Sequence, residues 1–420
     1  YEASLLEGDG EQEFRLRPEF KVGLDAMTHE HRDPLRPRGD EAAFLTLEGT
    51  LHGSAPNVAG AFRARWDDHY LNDPQFADGR AIESRECDPL VDVCAYRVED
   101  AYVELQFPYV RIFFGRAYRN WGLPGTHGML LSDYAYSYDH VGYRFAGSRL
   151  SVNGLFTLPN DFTGDTARYF STHRLDWRVR DNLVLSAGES VVYGGPDRRL
   201  DLALTNPIGI WEISGSRGSR ERNALGLLEA WWRPYASLVA YAAFLVDNTS
   251  IGTASESELP QWGATLGVQL PRVTPRLALR LDLSAVNSLA YRSRVGPVEN
   301  YALDGIGLAR DKADALTVRL RADWFARASL VLKPTLDLLW KGEDDLPDPW
   351  PADAFTGHDL WLSGTVETTV RPAVAGRWRL PYGEVSWDLG VSFVENRGNV
   401  EGGWRTLGTG RVRFEARRSF

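Results

Sequence analysis

Apolar residues recur at every second position through most of the chain, the two-residue period of a strand with one apolar and one polar face. In the last segment Val412, Phe414, Ala416 and Phe420 share a face interrupted only by Arg418, opposite Arg411, Arg413, Glu415, Arg417 and Ser419. Between 277 and 285, Leu277, Leu279, Leu281, Leu283 and Ala285 stand opposite Ala278, Arg280, Asp282 and Ser284. Near the start, Phe14, Leu16, Pro18, Phe20, Val22 and Leu24 alternate with Arg15, Arg17, Glu19, Lys21, Gly23 and Asp25. Almost nothing repeats with a helical period.

The pattern predicts about eighteen strands: 13–27, 41–53, 57–70, 95–107, 110–118, 139–146, 149–158, 170–179, 182–193, 223–234, 236–247, 260–270, 274–286, 314–326, 329–340, 359–371, 382–394 and 404–420. The connections between them alternate in length. Those after odd-numbered strands are long, as at 28–40, 71–94, 119–138, 194–222 and 287–313, whereas those after even-numbered strands shrink to a few residues, with 372–381 as the exception. A closed transmembrane barrel explains the alternation, since it satisfies every backbone group and carries short turns at one end and long loops at the other. The fold class expected is therefore all-β: one antiparallel outer-membrane barrel of about 18 strands. Residues 1–12 would form an N-terminal periplasmic segment and 13–420 the barrel, a single domain with short periplasmic turns and long extracellular loops. The competing reading is a soluble β-sandwich, favoured by segments such as 238–246 that are apolar on both faces.

Composition narrows the class further. In 420 residues, 47 Lys plus Arg against 57 Asp plus Glu give a net charge of −10, which argues against a nucleic-acid partner held through phosphates. Of the basic residues 43 are Arg and only Lys21, Lys312, Lys333 and Lys341 are Lys, which favours fixed, forked ion pairing. The best apolar candidate, Pro234 to Val246, stops after 13 residues at Asp247, too short for a helical membrane span. The chain opens on Tyr1 with no leader pattern, and is read as an exported, already processed chain of the bacterial outer membrane. Cys87 and Cys94, the only two cysteines, suit a small disulfide loop in an oxidising compartment. Closing it would contribute roughly 2 to 3 kcal/mol in the chain-entropy model.

Two stretches carry a family resemblance. The C-terminal strand ending in Phe420 resembles the terminal signature of bacterial outer-membrane barrels. The stretch from Phe114 to Ala135 is similar to a pattern in the capsule-assembly Wzi family of outer-membrane barrels, through Trp121, Gly122, Pro124, Gly125, Leu130, Leu131 and Ser132. Leu123 is inserted between Gly122 and Pro124, and Asp133 and Tyr134 stand where the family carries Asn-rich sequence. The resemblance implies an eighteen-stranded barrel associated with surface polysaccharide, not an enzyme. Capsule-type members also carry an N-terminal helical bundle, whereas alternation starts here by about Glu13.

With the apolar faces turned to lipid, the inner wall would carry a ladder of charges. It includes Arg280, Asp282, Arg319, Arg321, Asp323, Arg411 and Arg413, spaced so that opposite charges share a face. Eighteen strands enclose an aqueous channel unless loops fill it. Loop 119–138 is the candidate glycan-binding or constriction loop, with Trp121, His127, Tyr134, Tyr136 and Tyr138 close together and Gly122, Gly125 and Gly128 allowing tight folding. The acidic run from Glu343 to Trp350 could offer carboxylates to a hard cation, though it lacks calcium-loop spacing and reads better as a solvated loop. Arg217, Arg220 and Arg222 could touch lipopolysaccharide phosphates. His29 and His31 share a strand-like face two residues apart and could bind a metal, though a surface-loop pair is the commoner explanation, and no catalytic motif occurs.

No cofactor, metal or catalytic residue is expected. The expected partners are outer-membrane lipid and lipopolysaccharide, with surface polysaccharide or another envelope protein as further candidates. The function expected is surface or capsular polysaccharide attachment or assembly, through a barrel whose lumen is narrowed by its loops. The alternatives are a porin for small polar solutes and a structural barrel that anchors another envelope protein.

Overall fold

A computed structural model describes residues 14–31, 33–67, 69, 95–122, 126–159, 166–206, 209, 211, 222–247, 259–303 and 305–419. Its strands are β1 (Arg15–Met27), β2 (Ala42–Ala55), β3 (Val58–Asp67), β4 (Tyr96–Gln106), β5 (Val110–Ala117), β6 (Tyr138–Ala146), β7 (Leu150–Thr157), β8 (Thr166–Arg180), β9 (Leu183–Pro196), β10 (Asn223–Tyr235), β11 (Leu238–Asp247), β12 (Trp262–Thr274) and β13 (Leu277–Val286). They continue with β14 (Ala302–Leu303), β15 (Ile306–Gly307), β16 (Ala315–Arg327), β17 (Leu330–Lys341), β18 (Glu367–Leu380), β19 (Gly383–Glu395) and β20 (Arg405–Ser419). Eighteen form one closed antiparallel sheet in which each pairs with its neighbours in sequence, while β14 and β15 make a separate two-stranded hairpin in the long connection after β13. β1 closes the barrel against β20, with Val22 opposite Ala416 and Leu24 opposite Phe414. Closure leaves no unpaired sheet edge, the condition for a sheet in hydrocarbon.

Most strand ends fall within four residues of the sequence reading, and one strand is displaced further. The strand expected at 359–371 is β18, from Glu367 to Leu380, and residues 359–366 belong to the loop before it. Pro372, which has no N–H to donate, is carried inside β18 opposite Leu336, with the Val370–Phe393 and Ala373–Gly390 pairs on either side of it. The long connection at 372–381 therefore disappears. All the connections after even-numbered barrel strands are tight turns.

Alternate residues face outward and are exposed and apolar, among them Phe20, Val22, Leu24, Phe62, Ile112, Phe114, Leu266, Leu281, Leu320 and Phe414. Water solvates such a wall poorly and hydrocarbon solvates it well. Trp324, Trp378, Tyr235, Tyr109 and Tyr382 crowd the turn end of this surface, where amphipathic rings suit a membrane interface. Trp231 is not part of it: its parity in β10 matches the inward-facing Leu225 and Leu227.

The two-sided apolarity of β11 has a specific origin. Leu238, Ala240, Ala242, Phe244 and Val246 face outward, while Val239, Tyr241, Ala243 and Leu245 face the lumen and are buried. The lumen face is apolar because protein fills the barrel beside it, so the feature that suggested a soluble sandwich comes from a plugged barrel.

Candidate functional site in the lumen

The connection 118–137 folds into the barrel. Met129, Leu130 and Leu131 are buried in one apolar cluster with wall residues Leu155, Phe170, Val192, Leu225, Leu227, Ala243, Leu245 and Val286. The connection 287–314 enters the same cluster through Ala290, Tyr291, Tyr301, Leu303, Leu308 and Ala309, and Leu346 joins from the connection 342–366. These wall residues sit near the loop ends of their strands. Nearer the turns the inner wall is polar, so the apolar half of the lumen coincides with the plug.

Glycines let the pieces meet. A Cβ on Gly188 of the wall would lie 2.6 Å from Leu130 Cδ1, and one on Gly263 would lie 2.6 Å from Met129 Cε. Within the loop, Gly122 and Gly128 face each other so closely that a Cβ on either would meet the other's amide nitrogen at under 3 Å, at 2.6 and 2.7 Å. Hydrogen bonds then fix the register of the two loops. Tyr291 Oη donates to the Met129 carbonyl at 2.8 Å, Tyr301 Oη to the Leu130 carbonyl at 2.7 Å, and the Ser132 amide to the Leu308 carbonyl at 2.9 Å. Burial pushes the Tyr291 and Tyr301 phenols well up, so both remain donors at neutral pH.

The five aromatic candidates do not form one surface. His127 stacks on Tyr134 with ring centroids 4.1 Å apart, and its Nδ1 lies 2.9 Å from Asp133 Oδ1. Tyr136 is buried under the Arg97 guanidinium, 4.4 Å from its ring centroid. Tyr138 is buried too, and belongs to β6 rather than to the loop. Trp121 packs against the plug core, and its carbonyl accepts from Arg174. The His127–Tyr134 pair borders one cavity and Trp121 a second, smaller one, whereas Tyr136 and Tyr138 are buried.

Beyond the plug the inner wall is a lattice of ion pairs. Arg280 Nε bonds Asp282 Oδ2 at 2.5 Å, Arg319 bonds Asp337, and Arg321 reaches Asp323 at 3.3 Å. Across the closing seam Arg411 Nε bonds Asp25 Oδ1 at 2.9 Å, and within β20 Arg413 pairs with Glu415 at 3.1 Å. Desolvated guanidiniums need such partners, and the fork geometry supplies several bonds from one side chain.

The run from Glu343 to Trp350 is exposed at Glu343, Pro347, Asp348 and Pro349, as a solvated loop would be, but its other carboxylates are tied down. Asp344 bonds Arg292 at 3.0 Å and His358 at 2.6 Å, Asp345 bonds Lys341 at 3.0 Å, and Glu343 accepts from the Thr365 amide at 2.8 Å. Among the described residues no cluster of three or more His, Cys, Asp or Glu is disposed to hold a metal. His29 stands beside His31, and burial, then His31 and Arg371, push its imidazole below the ordinary histidine value. Cys87, Cys94, Arg217, Arg220, Pro124, Gly125 and Phe420 lie outside the described residues.

Between the plug and the ionic wall lies a cavity of about 330 Å³, bordered by Asp33, Tyr134, Arg280, Arg310, Lys312 and Arg319, among others. Asp33 and Lys312 come from different connections and pair at 2.8 Å. Arg310 and the plug role of 287–314 were missed in the sequence. The available signal was the density of apolar residues in that connection, Leu289-Ala290-Tyr291 and Ile306 to Ala309, unusual for a loop in water.

Comparison with solved structures agrees with this architecture. The chain superposes on Wzi of Escherichia coli, an outer-membrane protein involved in group 1 capsule assembly and described as a carbohydrate-binding β-barrel, with a TM-score of 0.66 over 96% of this chain and 84% of that one at 11% identity. It also superposes on OccK2 of Pseudomonas aeruginosa, solved with glucuronate, at a TM-score of 0.55, covering 97% and 98% of the two chains at 10% identity. A BenF-like porin of Pseudomonas fluorescens gives 0.53, with the same coverage and 10% identity. The fold is that of the Wzi-like and porin-like outer-membrane barrels. No protein-family model matches the chain, and no curated protein matches it in sequence.

Proposed function

We propose that the protein is a non-catalytic outer-membrane barrel that attaches or organises surface polysaccharide and does not conduct solutes freely. The supporting observation is the plug. Two long connections are stitched into one apolar core across the lumen by side-chain hydrogen bonds of Tyr291 and Tyr301. A mobile gate would not bury so much apolar surface, because each buried large side chain contributes about 1.5 to 3 kcal/mol that opening would lose. The likeness to the capsule-assembly barrel supports the polysaccharide side of the reading. Lipid and lipopolysaccharide would surround the apolar outer wall.

Two measurements test it. Deleting the gene in its native host should reduce cell-bound polysaccharide, and an unchanged surface coat would overturn the polysaccharide role. Purified protein in a planar bilayer should be silent. Stable, salt-dependent steps would instead favour a porin, the second reading, which the ion-paired wall and the porin neighbours support.

A further inference from the structure

The plug fills the loop-side half of the lumen and leaves the turn-side half as a cup with a basic wall. The carboxylates of that wall are already matched: Glu19, Glu104, Asp176, Asp323, Glu384 and Glu415 each lie within 3.9 Å of a guanidinium. Five cations are left over. Arg15 and Arg17 on β1, Arg144 on β6, Arg178 on β8 and Lys333 on β17 occupy lumen-facing positions within a few residues of the turns, and none of them is ion-paired among the described residues. The connecting turns add Arg149 and Arg276 against Asp181 alone. Unmatched like charges around an aqueous cup repel one another and draw in anionic groups.

The anionic group closest at hand is the chain itself. Residues 1–13 lie outside the described structure and join β1 at the rim of the cup, where Arg15 stands opposite Ser54 beside a tight turn. They carry Glu2, Glu7, Asp9, Glu11 and Glu13 and no Lys or Arg, five negative charges for the five unmatched cations. In extended backbone Glu7, Asp9, Glu11 and Glu13 share one face. A segment of this length spans about 45 Å when extended and about 20 Å as a flexible coil. An 18-stranded barrel is roughly 35 Å across, so the segment reaches the middle of the cup as a coil and its far wall when extended.

We infer that residues 1–13 fold back into the cup as an acidic strap, held by Arg17, Arg144, Arg178 and Lys333 and released by salt. Tethering makes the contact intramolecular, so ion pairs that are individually weak add up to a bound state. The strap does not rest on the polysaccharide reading. Carbodiimide coupling of the full chain in detergent, which joins a carboxylate to an amine beside it, tests the strap by mass spectrometry of the peptides. Lys333 stands four strands from β1 across the closing seam, and the Lys21–Glu48 pair at 2.8 Å is an internal control. At low ionic strength Glu2 or Glu7 should couple to Lys333. At about 0.5 M salt, where the screening length shrinks to about 4 Å, that yield should fall at least about fivefold while the partly buried Lys21–Glu48 product changes little. The variant Arg17→Gln/Arg144→Gln/Arg178→Gln keeps every reacting group and should lower the yield at low salt by at least about threefold. If that variant does not fold, the salt series on the wild type decides. The inference is overturned by any of three results: no product between 1–13 and Lys333 where the Lys21–Glu48 product forms, a yield insensitive to salt, or a yield unchanged in the folded triple variant, which would show a tether that only passes by.

Discussion

Trp211 lies on the outside of the barrel with its ring 4.0 Å from that of His173. His173 and Glu189 are directly opposed on β8 and β9, on the outward face, with Nε2 and Oε2 3.3 Å apart. The Trp211 amide donates to Glu189 Oε2 at 2.8 Å, so the connection after β9 folds down over the outer wall and shields an ionisable pair from lipid. Leu204, Tyr169, Val191, Tyr193 and Ala224 complete the cover. The exposed apolar residues Leu175, Trp177, Leu185 and Leu228 lie on the turn side of the pair, which therefore stands at the loop-side margin of the apolar band.

Removing that cover should be costly. Trp211→Ala deletes a side chain that is 3% exposed and uncovers the carboxylate, so a loss of about 3 kcal/mol or more is expected in denaturant unfolding of the detergent-solubilised protein. Glu189→Gln in the Trp211→Ala background should recover part of it, since an amide is cheaper than a carboxylate to leave in lipid. Equal stability of Trp211→Ala and wild type would show that the connection does not hold the wall.

The plug core predicts an unsealing substitution. Leu130 is 1% exposed and lies against Gly188 of the wall, so Leu130→Asp places a carboxylate in an apolar cluster. The barrel wall is stitched by backbone pairing and should survive, whereas the plug should not. Conductance in a planar bilayer should appear in Leu130→Asp and be absent in Leu130→Met, a volume-conserving control. Conductance in neither would mean that other loops close the lumen alone.

The closed barrel was legible in the sequence because alternation is a local signal and loop parity needs only counting. The plug was not. Tyr301 and Leu130 are 171 residues apart, and their hydrogen bond depends on two connections entering the lumen from different places on the rim. Glycines at 122 and 128 announced a tightly folded loop, and Gly296, Gly305 and Gly307 punctuate 287–314 as well, but glycines mark turns and do not say that a loop turns inward. The apolar residues of 287–314 follow no period, because a plug in a barrel packs on a wall that surrounds it. Arg310 was similarly hidden: in sequence it is followed by Asp311, which the fold gives to Lys312.

Acid should loosen the loops from one another. Burial raises the Asp33 carboxyl, but the Lys312 ammonium outweighs it and holds the group well below the ordinary range. For Asp344, burial is outweighed by His358 and Arg292, and for Asp345 by Lys341 and Arg36. Carboxyls depressed in the folded state contribute stability that is present above the unfolded value of about 4 and is lost as pH falls through the folded value. The Lys312 ammonium is raised by Asp311 and Asp33 against the opposing effect of burial, so its contribution is present below the ordinary lysine value of about 10.4 and fades above it. Protease nicking of the loops in reconstituted vesicles should therefore be flat from about pH 5 to 10 and rise below about pH 4. Asp33→Asn should show the raised level already at neutral pH. A rise centred near pH 6.5 would point instead to the histidines.

Arg174 joins the wall lattice to the plug, and its loss should register in both. Its guanidinium bonds Asp176 at 2.6 Å and Glu229 at 2.8 Å, donates to Ser186 Oγ at 2.9 Å, and reaches the Trp121 carbonyl at the base of the loop. Arg174→Met keeps most of the volume and leaves Glu229, whose side chain is 4% exposed, without its cation. Breaking a buried pair from one side costs about 3 to 5 kcal/mol, far more than the pair is worth against an apolar replacement. The double variant Arg174→Met/Glu229→Gln should therefore be more stable than Arg174→Met alone in denaturant unfolding, and the difference measures the stranded charge. The Trp121 latch is lost in both. Tryptophan fluorescence and protease nicking of the 118–137 connection should then change equally in the single and the double variant, although their stabilities differ. Recovery of the loop signal in the double variant would place the latch in the carboxylate lattice rather than in the hydrogen bond to Trp121.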